Sequence, residues 1–309
     1  MDKEIIRAKK ILNDGNLVIF PTETVYGLGA DATNAKAIKK IYDIKKRPHN
    51  NPIICHFHSL ENIEKDFFLN ENAYKLAAKF WPGPLTLILK KRQSSLISPL
   101  LSNKKDYVGC RIPKHSVARK LLEKVNFPIA APSANLSTKL SSTHVDNISI
   151  ELKNKVFVLN GGISFHGLES TVINICNQNP EILRLGSITI EEISKIIPNI
   201  NHDYNLDIDS VSPGSQKKHY SPNLPIRINV KEVFDGEVLL NFGSNKLKSR
   251  LIELNLSIKG NLKEAGRNLY KYLHKLDKSD CDGIAVAPIP NHGLGTTIND
   301  RLNRASNSE

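Results

Sequence analysis

The sequence predicts an α/β or α+β first domain of roughly 200 residues followed by a smaller α/β domain. Three observations carry that reading. Helical and strand-like periodicities alternate through residues 1–200. A polar Asn- and Asp-rich stretch without periodicity, PNINHDYNLDIDSV, then interrupts them and reads as a linker. The alternation resumes at residue 225. The division is thus 1–200, a linker over 201–224, and a small domain over 225–309 of the 309-residue chain.

The elements follow in order. Residues 3–14 carry Ile5, Ala8, Ile11 and Leu12 on one side and stop at Gly15, a helix. Asn16–Phe20 is a short strand ended by Pro21. Residues 34–45 form a helix whose inner face is Ala37, Ile38, Ile41 and Tyr42, and Pro52–His58 is a strand. A helix over 71–81 is broken by Trp81-Pro82-Gly83-Pro84. Strands are expected at 85–90, 107–112, 128–131, 155–159, 169–176 and 181–185, with a helix at 116–125. Thr189 and Glu192 form a capping box that opens a helix over 190–197. The small domain reads as strands at 225–230, 237–242 and 283–287 and helices at 262–276 and 297–306.

Forty per cent hydrophobic and 24 per cent charged residues exclude global disorder. No apolar run approaches the ~20 residues that span a bilayer, and the N-terminus lacks the apolar core of a signal peptide. Cys55, Cys110, Cys176 and Cys281 stand apart without a CxxC pair, as in a reducing compartment, so the cytoplasm is expected. Lys and Arg number 43 against 31 Asp and Glu, a net +12. The excess runs through both halves. It fits a lysine-rich solvated surface or an anionic ligand, and composition does not separate these.

Common nucleotide cradles and hydrolase motifs are absent from the sequence: no GxxxxGK[ST], no GxGxxG after a strand, no GxSxG, no HExxH. Cys55-His56-Phe57-His58 invites a metal. On a strand, however, His56 and His58 share one face while Cys55 faces away, and no third ligand is evident. His56 as a polar substrate contact is the better reading. Three segments crowd more polar chemistry than a fold requires. Pro21-Thr-Glu-Thr-Val-Tyr-Gly-Leu-Gly29 follows a strand. Lys45-Lys46-Arg47 ends a helix, where cations suit the macrodipole, yet prolines on either side fix them as anion binding prefers. Ala130-Ala-Pro-Ser-Ala-Asn-Leu-Ser137 has small residues that let backbone approach a ligand. Arg111, at a strand end, is a cation in want of an anionic partner.

Taken together and in order, PTETVYGLGAD, KKRPHNNP, WPGPLTLIL, CRIP, PIAAPSANLS, LESTV and SPGSQKKHYSP resemble the YrdC-type threonylcarbamoyl-AMP synthases. VAPIPNHGLGTTINDRLNRA resembles the C-terminal domain of that family's long form, so the likeness spans nearly the whole chain. The resemblance implies a twisted open α/β sheet with a concave positive face and a smaller Rossmann-like α/β domain. It implies synthesis of L-threonylcarbamoyl-adenylate and pyrophosphate from L-threonine, bicarbonate (or CO2) and ATP, with Mg2+ accompanying ATP. A partner transferase would then modify tRNA, and direct tRNA binding is not required.

The family pattern KxR…SxN falls on Lys45, Arg47, Ser133 and Asn135, with Lys45 and Arg47 as catalytic cations facing phosphates. Asn51, Tyr107, Ser141, Arg184 and the linker's Tyr220 complete the implied ATP site, and Tyr220 with His219 would close over the nucleotide. Thr24, His56, Arg111, Ala131 and Ser170 are the implied threonine site, Arg111 taking the carboxylate. The chain departs from the pattern at Thr138 (commonly Gly), Ser142, Leu185, Asn174 and Ser215, which leaves the loop path over 138–143 open. Rivals are a non-catalytic RNA-binding protein using the same positive face, a zinc-finger-bearing carbamoyltransferase, which the isolated cysteines exclude, and a non-catalytic regulator.

Overall fold

The structure is a computed structural model that describes residues 1–102, 105–177, 179–201 and 220–306. The first part contains α1 (Asp2–Asn13), β1 (Val18–Phe20), β2 (Gly27–Asp31), α2 (Ala35–Lys45), β3 (Cys55–His56), α3 (Leu60–Asp66), β4 (Phe67–Phe68), α4 (Glu71–Phe80) and β5 (Leu85–Lys91). It continues through β6 (Tyr107–Arg111), α5 (Ser116–Lys124), β7 (Ile129–Ala130), α6 (Ile150–Lys155), β8 (Phe157–Val158), β9 (Thr171–Asn174), β10 (Glu181–Arg184) and α7 (Ile190–Ser194). The second part holds β11 (Ile226–Arg227), β12 (Glu237–Asn241), β13 (Glu253–Asn255), α8 (Leu262–Leu276), β14 (Gly283–Val286) and α9 (Leu294–Ser306).

The first part builds one ten-stranded mixed sheet ordered β10-β9-β5-β6-β3-β7-β2-β1-β8, with β4 beside β5. Two apolar layers cover it. Ile5, Ala8 and Leu12 of α1 pack with Val117, Leu121 and Leu122 of α5 on one side. Ile38, Ile41 and Tyr42 of α2 and Leu76 of α4 join the larger cluster on the other. The second part is a four-stranded sheet, β11-β14-β12-β13, with every pairing parallel, as a Rossmann-like unit requires. Its core draws in Val25, Leu140, Leu168 and Tyr220, so the two parts share one apolar seam.

Several sequence expectations change. The strand over 52–58 shrinks to Cys55 and His56, because β3 is held between parallel β6 and antiparallel β7 for those two residues. His58 falls outside the ladder. β2 was not expected, since GLGAD has no β-branched residue. Gly29 is needed there by close packing: a Cβ would lie 2.8 Å from both Phe20 and Ile129. Helix α9 begins three residues before the expected 297, taking in Gly295, where a Cβ would meet the Pro290 carbonyl at 1.9 Å. The short helices α3 and α6 also escape the sequence pattern. The capping box at Thr189 and Glu192 is present. His219, Ser215 and the linker segment over 202–219 lie outside the described residues.

Candidate active site

One cavity of about 50 Å3 opens at the ends of β2, β3, β6 and β9, beside the turn after α2. Thr24, Arg47, His56, Arg111, Ala131, Ser133, Ser170, Arg184 and Tyr220 all line it. The sequence motifs therefore converge on one cavity, while Lys45, Asn51, Tyr107, Asn135 and Ser141 are not among the residues that line it.

Helix α2 delivers the first group. Ile38, Ile41, Tyr42 and Lys45 follow helical spacing, so Lys45 lies on the apolar stripe and is 1% exposed. Lys46 then caps the helix at φ +52°, turning the chain so that Arg47 also points inward. Arg47 donates from Nε and Nη2 to the Asn51 carbonyl, the Asn51 Oδ1 and the Pro52 carbonyl. Burial brings its pKa down to about 10, with Arg184 adding repulsion, so it stays charged at neutral pH. Arg184 donates from Nε and Nη2 to the Ser170 carbonyl and from Nη2 to Ser170 Oγ.

Lys45 turns to the backbone of the neighbouring loop. Its Nζ donates to the carbonyls of Ser133 and Asn135 and does not line the cavity. Burial, with the charge of Arg47, holds its pKa well below the ordinary lysine value. These bonds tie the Ser133–Asn135 turn to α2. Asn51 likewise orients Arg47, and Asn135 donates to the Leu136 and Lys139 carbonyls. Ser141 donates to Glu169 Oε1 at 2.7 Å. Tyr107 is not brought to the site. It is 41% exposed at the far end of β6, about 13 Å of strand from Arg111.

Arg111 also lines the cavity and is 3% exposed. It donates to Thr24 Oγ1 at 2.9 Å and to the Gly83 carbonyl at 3.2 Å, and its Nη2 lies 2.7 Å from Glu23 Oε1. Burial alone pushes the Glu23 carboxyl up, but Arg111 outweighs it and holds the pKa below the usual value. His56 Nδ1 faces the Ile129 carbonyl at 3.3 Å; a carbonyl only accepts, so Nδ1 carries the proton and Nε2 is an acceptor. Burial, then Arg111, bring its pKa down to about 3, so the ring is neutral. Among the described residues no three His, Cys, Asp or Glu side chains gather to hold a metal.

Sequence reasoning missed Glu23 and Glu169 as partners of the site's cations. The signal was there, since each is the one carboxylate inside a segment rich in hydroxyls. Gly186 packs the turn after β10 against the Glu169 segment; a Cβ would fall 2.6 Å or less from backbone atoms of residues 169–171.

The departure at Thr138 finds its meaning here. Thr138 has φ +67°, the left-handed region that favours glycine. A β-branched residue there is strained. Thr138→Gly is expected to raise the unfolding free energy by about 0.5–1 kcal/mol, read from urea unfolding; a loss of stability would refute the strain. The Thr138 carbonyl accepts from Ser221 N–H at 2.9 Å, which fastens this loop to the residue after Tyr220.

Comparison with known proteins shows the family and the fold. The Sua5/YciO/YrdC family model, described as "Telomere recombination", matches residues 10–186, and the model "Threonylcarbamoyl-AMP synthase, C-terminal domain" matches 188–307. The chain is 36% identical to the threonylcarbamoyl-AMP synthase of Pyrococcus abyssi over 97% of its length and 93% of that protein. The Bacillus subtilis synthase is 34% identical over 99% of this chain and 93% of its own. The crystal structure of P. abyssi Sua5 complexed with L-threonine superposes with TM-score 0.89 at 34% identity, covering 98% of this chain and 94% of that one. On these grounds the chain belongs to the threonylcarbamoyl-AMP synthase family of nucleotidyltransferase-type enzymes, in the form whose Sua5/YrdC part is followed by the family's C-terminal domain.

Proposed function

We propose that the protein joins L-threonine, bicarbonate (or CO2) and ATP into L-threonylcarbamoyl-adenylate and pyrophosphate. The observation that carries this is one cavity lined by Arg47 and Arg184, close enough to feel each other's charge, and by Arg111 and neutral His56, likewise close to each other. Arg111 takes the amino-acid carboxylate, and Thr24 helps hold Arg111 in place. His56 Nε2 accepts from the threonine amine or hydroxyl. Bicarbonate takes up a proton and loses water to give CO2; the amine nitrogen adds to the CO2 and releases its proton to solvent, giving a carbamate. A carbamate oxygen then attacks the α-phosphorus, and the bond to the β-phosphate oxygen breaks. Arg47 and Arg184 stabilise charge on the phosphorus oxygens and on departing pyrophosphate. No protein nucleophile is needed; catalysis is positioning and charge stabilisation.

Ser133 and Ala131 offer a small wall that a ligand can approach, and Lys45, Asn51, Asn135 and Ser141 support the ATP end from behind. Tyr220 closes over the nucleotide and shields a labile mixed anhydride from water. Magnesium belongs with the ATP phosphates as part of the substrate, since Glu169 is engaged by Ser141, Tyr270 and Arg301. The product, an activated acyl group, calls for a transferase that accepts it onto tRNA. We assign 1–200 as the catalytic unit, 201–224 as the closing segment and 225–309 as the small unit. A cytoplasmic place fits a chain in which no helix among the described residues is long and apolar enough to cross a membrane. The RNA-binding alternative is disfavoured because Arg47, Arg111 and Arg184 are buried, where a nucleic-acid backbone does not reach.

The test is pyrophosphate release from ATP with each of the twenty amino acids. Turnover that needs both threonine and bicarbonate is expected. Equal turnover with serine or without bicarbonate would refute the assignment.

A further inference from the structure

Arg301 of α9 is among the largest side chains fully enclosed in the protein, yet it comes from the second sheet unit and not from the catalytic motifs. Its Nε donates to Glu169 Oε2 at 3.0 Å, its Nη2 to the Leu185 carbonyl, and its Nη1 meets Asp300. Its guanidinium carbon lies 4.8 Å from the centre of the Tyr220 ring. Tyr270 of α8 donates to the same Glu169 oxygen at 3.0 Å and lies 5.8 Å from the Tyr220 ring at 32°. Thr297 of α9 donates to the Gly186 carbonyl, and His274 of α8 meets the Ser141 carbonyl. Both helices thus grip the wall that carries Glu169 and Ser170.

Charge explains why. Glu169 lines the same cavity as Arg47 and Arg184. A bare carboxylate there repels the phosphates that those arginines attract. Burial would raise its pKa, but Arg301 first and then Arg184 keep it ionised, so it does not simply take up a proton. The carboxylate is tolerable at a phosphate site while cations answer it, and the larger share comes from Arg301 of the second unit. We propose that Arg301, with Tyr270, is a positioning residue for the nucleotide end of the cavity: it neutralises Glu169, seats the Tyr220 ring, and makes the second unit a necessary part of the ATP site. This deepens the function proposed above and rests on Arg47 and Arg184 marking the phosphate end.

The test is a charge rescue read by ATP binding. Calorimetry with a non-hydrolysable ATP analogue, and KM for ATP and threonine, are measured for wild type, Arg301→Gln, Glu169→Gln and the double variant. Arg301→Gln is expected to weaken ATP binding about tenfold or more while the KM for threonine stays within about twofold. Adding Glu169→Gln removes the stranded carboxylate and is expected to restore ATP binding to within about threefold of wild type. A merely structural Arg301 predicts the opposite, a double variant as poor as the single one or worse, and that result overturns the proposal. So does unchanged ATP binding in Arg301→Gln. If that variant does not fold, Tyr270→Phe keeps the ring, removes one donor to Glu169, and is expected to weaken ATP binding about threefold; unchanged binding overturns the proposal. ATP binding decides this inference even where wild type shows no threonine-dependent turnover, an outcome that counts against the proposed reaction instead.

Discussion

Arg47→Ala is expected to lower kcat for threonine-dependent pyrophosphate release about 100- to 1,000-fold, the effect typical of deleting one fixed donor at a developing oxyanion. Arg47 is buried, charged at neutral pH, and aimed into the cavity beside Arg184. Its fork is preorganised by the Asn51 and Pro52 carbonyls and by Asn51 Oδ1, so it loses little freedom when phosphate arrives. Deleting it leaves those acceptors unpaired, at about 1–3 kcal/mol, a loss that leaves a typical domain folded. Arg47→Lys keeps a positive charge but not the fork, and falls between wild type and alanine. The measurement is steady-state pyrophosphate release alongside a thermal melt. A folded alanine variant within about threefold of wild-type kcat would remove Arg47 from the chemistry.

Lys45 shows how far motif reading goes. The spacing from Ile38 to Lys45 puts it inward, and the KxR pattern makes it a phosphate cation. In the structure it meets carbonyls 88 and 90 positions along the chain, which no local pattern reveals. The same holds for Glu169 and Arg301, 132 positions apart. Segments whose signal is periodicity, such as α2, α4 and α8, were legible within a residue or two. β2 was not, because its strand is imposed by neighbours on either side and its glycines serve close packing. Tyr107 stands apart from the cavity for another reason. A motif position names a residue, while the strand's length decides which end of the sheet it reaches.

Glu23→Gln is expected to destabilise the free protein by about 3–5 kcal/mol, because it strands Arg111 as a buried, uncompensated cation. The pair is buried on both sides, with side chains 4% and 6% exposed and 2.7 Å apart. The variant makes a second, opposite expectation. Threonine brings a carboxylate to Arg111, so it should stabilise Glu23→Gln more than wild type, read as a larger threonine-induced rise in Tm. The pH dependence fixes the sign independently. Burial would raise the Glu23 pKa, but Arg111 holds it below the usual carboxylate value. A depressed folded pKa contributes stability that is fully present above the unfolded value near 4.5 and is lost as pH falls through the folded one. Glu169 is depressed in the same way and remains in both proteins. His56, lowered from 6.5 to about 3, costs both of them stability as pH falls below 6.5. The difference between wild type and Glu23→Gln should therefore be largest above pH 5 and shrink as acid protonates Glu23. A variant within about 1 kcal/mol of wild type at pH 7, or one that threonine stabilises no more than wild type, would show that Arg111 does not depend on Glu23 for its charge balance.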